Sequence, residues 1–520
     1  MIASKSLIAG SWEDGAGSSF TSYDPANEEK LGVHQGVEKS QVDRAVEGAA
    51  SAYVIYKMFD FDQRAAFIED VADEIEALGD ELLETCHRET GLGIPRLTGE
   101  RGRTCGQLRA FAALVREGSW QQARIDTAIP DRTPIPKSDI RRVLRPLGPI
   151  AVFSASNFPL AFSTLGGDTA AALAAGNPVV VKGHPSHPAT SALCASAIEK
   201  AIEKNNLPQG LFSLLQGAEP SVSSELVKHP KIKAVGFTGS THVGRILYDL
   251  GASRPEPIPV YAEMGSTNPL FILPKAIQNR LNKIARGLAG SITLGTGQFC
   301  TKPGLVFVLK SGDSDAFKEV LTQAIGDIQT GNLLNSGIKS GLTKKLDAYD
   351  HKKELTTIAG GAVNGGTLFS VSGSDFLENP ELEEEVFGPV AILVECENID
   401  EMLRAASRLG GHLTGTIHSD NDPESEALKT ILEEKAGRII YNGFPTGVEV
   451  CPSMHHGGPY PATTFAASTS VGTAAIERFC SVVCYQDAPD DHLPEALKNE
   501  NPRGIMRLLN GQYTAEKVEA

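Results

Sequence analysis

Between residues 148 and 250, short β-rich runs alternate with helix-patterned segments, and this rhythm limits the fold more than any other feature of the chain. The runs 150–153, 179–182, 212–215 and 234–237 are each followed by a helical stretch, at 169–175, 189–204, 221–228 and 241–250. Strands separated by helical crossovers pair in parallel with right-handed connections. Such sheets hold ligands beyond the carboxyl ends of their strands. A second block begins near Tyr261, with helices expected at 276–294 and 316–328 and strands at 305–309, 390–394, 415–418 and 438–441. The expected class is α/β, with two parallel-sheet (Rossmann-like) domains.

A chain of 520 residues has room for two or three domains. Near the N-terminus, Asp62 can cap a long helix running to Arg88, with Phe67, Val71, Ile75, Leu78 and Leu82 at helical spacing and Gly91 and Pro95 ending it. A polar stretch at 125–147, with Pro130, Pro134 and Pro136, reads as an exposed linker or as an arm reaching a neighbouring subunit. The tail after Asp487 is polar, with weak order signals. The expected division is 1–124 and 148–260 for a dinucleotide-binding domain, 261–480 for a catalytic domain, and 125–147 with 481–520 for a small oligomerisation arm and tail.

The net charge of −16 argues against a nucleic-acid partner, because phosphates would be repelled. No stretch approaches the roughly 18 uninterrupted apolar residues of a membrane helix. Residues 1–10 lack the apolar core of a signal peptide. The eight cysteines are scattered with no CxxC pair, so no metal site is expected and a reducing cytoplasm fits.

Four local patterns carry chemistry. Cys300 lies in a glycine-flanked loop, Gly295-Thr-Gly-Gln-Phe-Cys300-Thr-Lys-Pro-Gly304, able to present a sulfur to a ligand. Glu263 follows a β run at 258–262, where burial raising its pKa would make it a general base. Asn157 follows the strand at 150–153 and could donate to an oxyanion. Phe237-Thr-Gly-Ser240-Thr-His-Val-Gly244 is a strand, a glycine turn and a helix start, a setting that attracts phosphate. Taken singly, each has a commoner structural reading: a small buried residue, a surface glutamate, a turn asparagine and an ordinary turn.

Together, NFPL, VVVK, FTGS, E-x-G-x-x-N-P, GQ-x-C and EEVFGP stand in the order in which they resemble the aldehyde dehydrogenase superfamily, over nearly the whole chain. The resemblance implies that Cys300 is the nucleophile, Glu263 the general base and Asn157 an oxyanion donor. It places Lys182, His184, Pro185, Ser186, Gly239, Ser240, Gly244, Glu385 and Phe387 at a bound NADP or NAD. Phe158, Phe299, Thr301, His455 and His456 are the expected substrate neighbours. It further implies a homodimer or homotetramer, built through 125–147 and the strand near 481–486. Glu263 speaks against a CoA-acylating relative. The intact Cys300, Glu263 and Asn157 speak against a non-catalytic dinucleotide-binding protein.

Departures from the family pattern sharpen this. Ser156 stands where many members have tryptophan, and Gly295 where many have asparagine. The C-terminal loop, from Val448 through His455 and His456 to Phe479, is similar to the α-ketoglutaric semialdehyde (2,5-dioxopentanoate) dehydrogenase branch. NADP-dependent long-chain aldehyde dehydrogenases are its near relatives. That branch often has an arginine within 463–470, where this chain has Phe465, Ala466 and Ala467. If that arginine holds a substrate carboxylate, its absence favours a less polar, medium- or long-chain aldehyde. Pro185 replaces the glutamate that NAD-preferring relatives place three residues after the lysine. Losing that carboxylate removes repulsion of a 2′-phosphate and favours NADP.

Overall fold

The expected alternation folds into two seven-stranded sheets. A computed structural model describes residues 4–360 and 365–519; residues 1–3 of the stretch read as lacking a signal peptide lie outside the described residues. In the first sheet the strands run Val260–Glu263, Ala234–Thr238, Ile150–Phe153, Val179–Lys182, Phe212–Leu215, Ser6–Ile8 and Ser11–Glu13. The first five are parallel, and the N-terminal hairpin adds antiparallel to the edge. Their side chains are buried almost without interruption, as a sheet covered on both faces requires. Register brings the strand ends level: Phe153 pairs with Lys182 and Phe237, and Thr238 with Glu263.

The second sheet runs Thr356–Ala359, Thr367–Ser372, Val390–Cys396, Leu305–Leu309, Leu270–Ile272, His412–His418 and Ala436–Tyr441, with only the first strand antiparallel. A third, five-stranded sheet joins Arg124–Asp126 and Ile140–Pro146 to Cys480–Gln486, Arg507–Leu509 and Gln512–Thr514. Among the described residues no helix is long and apolar enough to cross a membrane.

Two local expectations are corrected. The N-terminal helix is two helices, Phe61–Ala77 and Gly79–Thr90. Asp60, not Asp62, caps the first, accepting from the Gln63 amide, and Gly79 breaks the run with φ +59°. The tail is ordered: Leu493, Leu497 and Ile505 are buried, and Arg507 is fully enclosed, donating to the carbonyls of Ala496, Lys498 and Glu516.

Candidate active site

The loop bearing Cys300 is built on three successive left-handed residues, Gly295, Thr296 and Gly297. A side chain on Gly297 would meet the Gly388 carbonyl at 2.2 Å, so this loop lies directly on the Glu384–Pro389 segment. Asn268 then clamps the cysteine: its amide donates to the carbonyls of Cys300 (2.8 Å) and Lys302 (3.0 Å). The Lys302 ammonium donates to Val386 O and Val390 O at 3.1 and 2.7 Å, tying the loop to the opposite wall. Asn157, in the loop that follows strand Ile150–Phe153, donates its side-chain amide to Gln298 O at 3.1 Å. The amide's second hydrogen is left for the shared cavity.

Glu263 is the last residue of its strand and is buried. His456 Nε2 lies 3.0 Å from Glu263 Oε1 and 3.4 Å from Cys300 Sγ. Ser470 donates to Glu263 Oε2. The loop that carries both partners is held against itself: His456 N donates to Thr469 Oγ1, and Ser470 N donates to His456 O. It is also stitched to the edge of the Glu263 strand through Met264 N to Ala462 O and Thr464 N to Ala262 O.

These contacts reverse one expectation. Burial does push the Glu263 carboxyl up, but His456 and the Ser470 hydroxyl outweigh it and hold the group below its ordinary value. Burial, reinforced by Glu263 and Glu385, drives the Cys300 thiol well above its ordinary value. With Glu263 ionised, Nε2 carries the hydrogen toward it; the buried Nδ1 has no partner among the described residues. Glu385 is raised by burial, only partly offset by Lys302.

A cavity of about 420 Å³ opens at the carboxyl ends of the first sheet and reaches Cys300. Asn157, Lys182, His184, Pro185, Gly239, Ser240, Glu263, Cys300, Glu385 and Phe387 all line it. Helix Thr241–Ala252 begins at this cavity, capped by the Ser240 hydroxyl, so unpaired amides face it. The Lys182 ammonium is buried and makes no hydrogen bond among the described residues; burial lowers its pKa to about 8. An unpartnered ammonium, a helix start and a cleft of this size fit a dinucleotide with its phosphates at Ser240. His184 is held well below its ordinary value by burial, then by His187 and Lys182.

Two expected cofactor neighbours do not line the cleft. Ser186 donates its amide to His184 Nδ1, folding the turn on itself, and Gly244 is packed against Met264. Ser223, Val243 and Ile338, absent from the expectation, line it instead. Of the expected substrate neighbours, Phe158 and Phe299 meet edge to face at 5.1 Å across a second cavity, and His456 touches the sulfur. Thr301 is buried away from both cavities, and His455 packs beside Gly457, lining neither. Asn268 stands in the E-x-G-x-x-N-P segment, but its clamp on the Cys300 loop was not foreseen; the roles of Ser470 and Lys302 carried no local signal, and Ser470 reaches Glu263 across 207 residues.

A loop cysteine of this design, held at the strand ends of the first sheet beside a dinucleotide-sized cleft, defines a class. The model of the aldehyde dehydrogenase family matches residues 12–482, and the chain belongs to that family of NAD(P)-dependent oxidoreductases. Within it, the chain is similar to α-ketoglutaric semialdehyde dehydrogenase 2 of Azospirillum brasilense, 47% identical over 98% of this chain and 99% of that one. It is 45% identical to the α-ketoglutaric semialdehyde dehydrogenase of Acinetobacter baylyi, over 91% of each. Among solved structures, 1-pyrroline-5-carboxylate dehydrogenase from Thermus with bound NAD superposes with a TM-score of 0.79 at 21% identity, over 93% of this chain and 92% of that one.

Proposed function

We propose that the chain oxidises 2,5-dioxopentanoate to 2-oxoglutarate through a thioester on Cys300. The observation that carries the chemistry is the position of one sulfur, 3.4 Å from His456 and in one cavity with Asn157 and Glu263. The substrate reading is supported by 47% identity, over nearly the full length, to a relative named for that aldehyde.

In the resting site the thiol is neutral and Glu263 is ionised. The thiol proton passes to the Glu263 carboxylate, and the His456 Nε2–H turns its hydrogen bond from that carboxylate to the sulfur. The sulfur bonds to the aldehyde carbon while the carbonyl pair moves onto oxygen. The Asn157 amide and the Cys300 backbone N–H receive that oxyanion, each worth about 3 kcal/mol. Nicotinamide dinucleotide, when bound in the cleft, supplies the hydride acceptor. Collapse of the thiohemiacetal leaves a thioester. Glu263, ionised again after losing its proton to solvent, takes a proton from the water that releases the acid.

Lys182, Pro185, Gly239 and Ser240 would hold the adenosine and pyrophosphate, and Glu385 and Phe387 the nicotinamide end. Pro185 in place of a carboxylate supports NADP over NAD. Eight cysteines without a disulfide support a reducing, cytoplasmic setting, which cell fractionation would check. Cys480–Gln486 is an edge strand with Val482 half exposed, which supports homo-oligomer formation; light scattering that gives a monomer would reject it.

A steady-state panel of 2,5-dioxopentanoate, succinate semialdehyde, glutaraldehyde and long-chain aldehydes, each with NAD and NADP, tests substrate and cofactor together. Highest kcat/KM for 2,5-dioxopentanoate is expected, with loss of all turnover in Cys300→Ala. Highest kcat/KM for long-chain aldehydes would replace the substrate reading, which the Phe158 and Phe299 walls also permit. Turnover surviving in Cys300→Ala would end the mechanism.

A further inference from the structure

Glu263, Cys300 and His456 form a set that thioester chemistry does not exhaust. Each offers one atom able to ligate a metal, and the carboxylate oxygen, the sulfur and the ring nitrogen all lie within 4.8 Å of one another. It is the one such group among the described residues. Cysteine spacing gives no hint of it, because the ligands come from a strand end, a glycine loop and a C-terminal loop, at positions 263, 300 and 456.

A tetrahedral cation of the zinc type, with bonds of about 2.0 to 2.3 Å, holds neighbouring ligand atoms about 3.3 to 3.6 Å apart. His456 Nε2 lies 3.4 Å from Cys300 Sγ and 3.0 Å from Glu263 Oε1, so both edges at the ring nitrogen are already near that spacing. A thiolate, an imidazole and one carboxylate select a borderline-soft divalent cation over magnesium or calcium, which take oxygen ligands. The local charge favours it too. Glu263 and Glu385 both press on the sulfur, and Glu263 has no lysine or arginine within 4.0 Å among the described residues. Cys300 and Glu263 line the cavity of about 420 Å³, which gives an ion its entry path and room for water as a fourth ligand. The ligands are also held in place: the Ser470 hydroxyl binds the other Glu263 oxygen, and Thr469 and Ser470 pin the His456 backbone.

One supporting contact is missing. An Nε2 bound to metal gives up its hydrogen, which then sits on Nδ1, and that atom is buried without an acceptor among the described residues. The histidine of a resident metal almost always has that outer hydrogen bond. Its lack makes this an exchangeable site rather than a permanent one.

We propose that Glu263, Cys300 and His456 form a reversible inhibitory site for a thiophilic divalent cation of the zinc type, filled when no aldehyde occupies the sulfur. The inhibition rests on Cys300 being the nucleophile and Glu263 the base. Binding forms a sulfur–metal bond, releases the thiol proton to solvent and moves the imidazole hydrogen from Nε2 to Nδ1, with no electron transferred. The ion then holds both the lone pair that attacks the aldehyde and the carboxylate that takes the proton, so turnover stops until a chelator removes it.

The test incubates EDTA-treated, full-length enzyme in zinc-buffered solution without cofactor, then assays it with 2,5-dioxopentanoate and NADP. Low-micromolar free Zn²⁺ should suppress nearly all wild-type turnover, EDTA should restore it, and Mg²⁺ should have no effect. His456→Gln, on its own residual turnover, should need over about 100-fold more Zn²⁺ for the same fractional loss, since even an outer-shell partner of a metal ligand is worth 10- to 100-fold in affinity. Binding is also read apart from activity. Co²⁺ should load at one ion per chain and give a near-ultraviolet thiolate-to-metal charge-transfer band that Cys300→Ala lacks, and Zn²⁺ should shield Cys300 from iodoacetamide. These two readouts decide the matter should His456→Gln not fold. Equal Zn²⁺ sensitivity in His456→Gln, absence of the thiolate band or an unshielded Cys300 would each overturn the site. A wild type that oxidises no aldehyde would overturn the proposed function instead, because the Co²⁺ band needs no turnover.

Discussion

Glu263 and Glu385 flank one sulfur, and both press its pKa upward, yet their own protonation is pushed in opposite directions. Each is desolvated by the protein around it. Glu263 meets two side-chain donors, the His456 ring and the Ser470 hydroxyl, and is held below its ordinary value. Lys302 pulls the Glu385 carboxyl down, but that ammonium is committed to the carbonyls of Val386 and Val390, and burial wins. Burial alone therefore does not decide which carboxylate is the base. Donors do, and here they sit on a loop that folds in from the far C-terminal part of the chain.

Removing the ionised partner should have the largest effect. Glu263→Gln is expected to slow steady-state turnover by roughly 10²- to 10⁴-fold. It should also quicken alkylation of Cys300 by iodoacetamide, because the strongest like charge on the sulfur is gone and the thiolate forms at lower pH. Turnover at the wild-type rate would remove Glu263 from the mechanism. Slower alkylation would mean that Glu263 sustains the thiolate rather than opposing it.

His456→Gln should make Glu263 behave more like Glu385. The carboxylate loses the partner that lowers it most, so its pKa rises. The acid limb of the kcat/KM profile, set by a base that must be ionised, then moves to higher pH by on the order of one to two units. Turnover near neutral pH should fall about 10- to 100-fold as well, because the thiolate loses the Nε2–H donor 3.4 Å away. A profile whose acid limb stays in place while the rate drops would assign His456 a purely structural part.

The sheets were legible in the sequence because each parallel strand is a short apolar run with its own crossover helix, and the run 150–153 lies as expected. Leu270–Ile272 was not, being three residues long, nor were Thr356–Ala359 and Thr367–Ser372, whose polar residues obscure a strand pattern. The site divides the same way. Asn157, Lys182, Glu263 and Cys300 sit at strand ends or in a glycine loop, where local pattern points to them. His456 reaches Glu263 across 193 positions, so their partnership exists only after packing. The resemblance placed His456 beside the substrate, but nothing in its local sequence pointed to Glu263 as its partner.

The smallest effect should come from Glu385→Gln. Glu385 ranks behind Glu263 among the charges that raise the Cys300 thiol, so alkylation should quicken in this variant too, but less than in Glu263→Gln. Its carboxyl lines the dinucleotide cleft and touches none of the Glu263 donors, so the acid limb of the pH profile should stay where the wild type has it. What should suffer is the cofactor: losing one polar contact to a bound ligand predicts a KM for NAD(P) about tenfold higher. Measuring all three on one preparation separates the two carboxylates cleanly. If Glu385→Gln instead shifted the acid limb as far as His456→Gln does, the titrating base would be shared between the two groups, and the division of labour drawn from their opposite pKa shifts would fail.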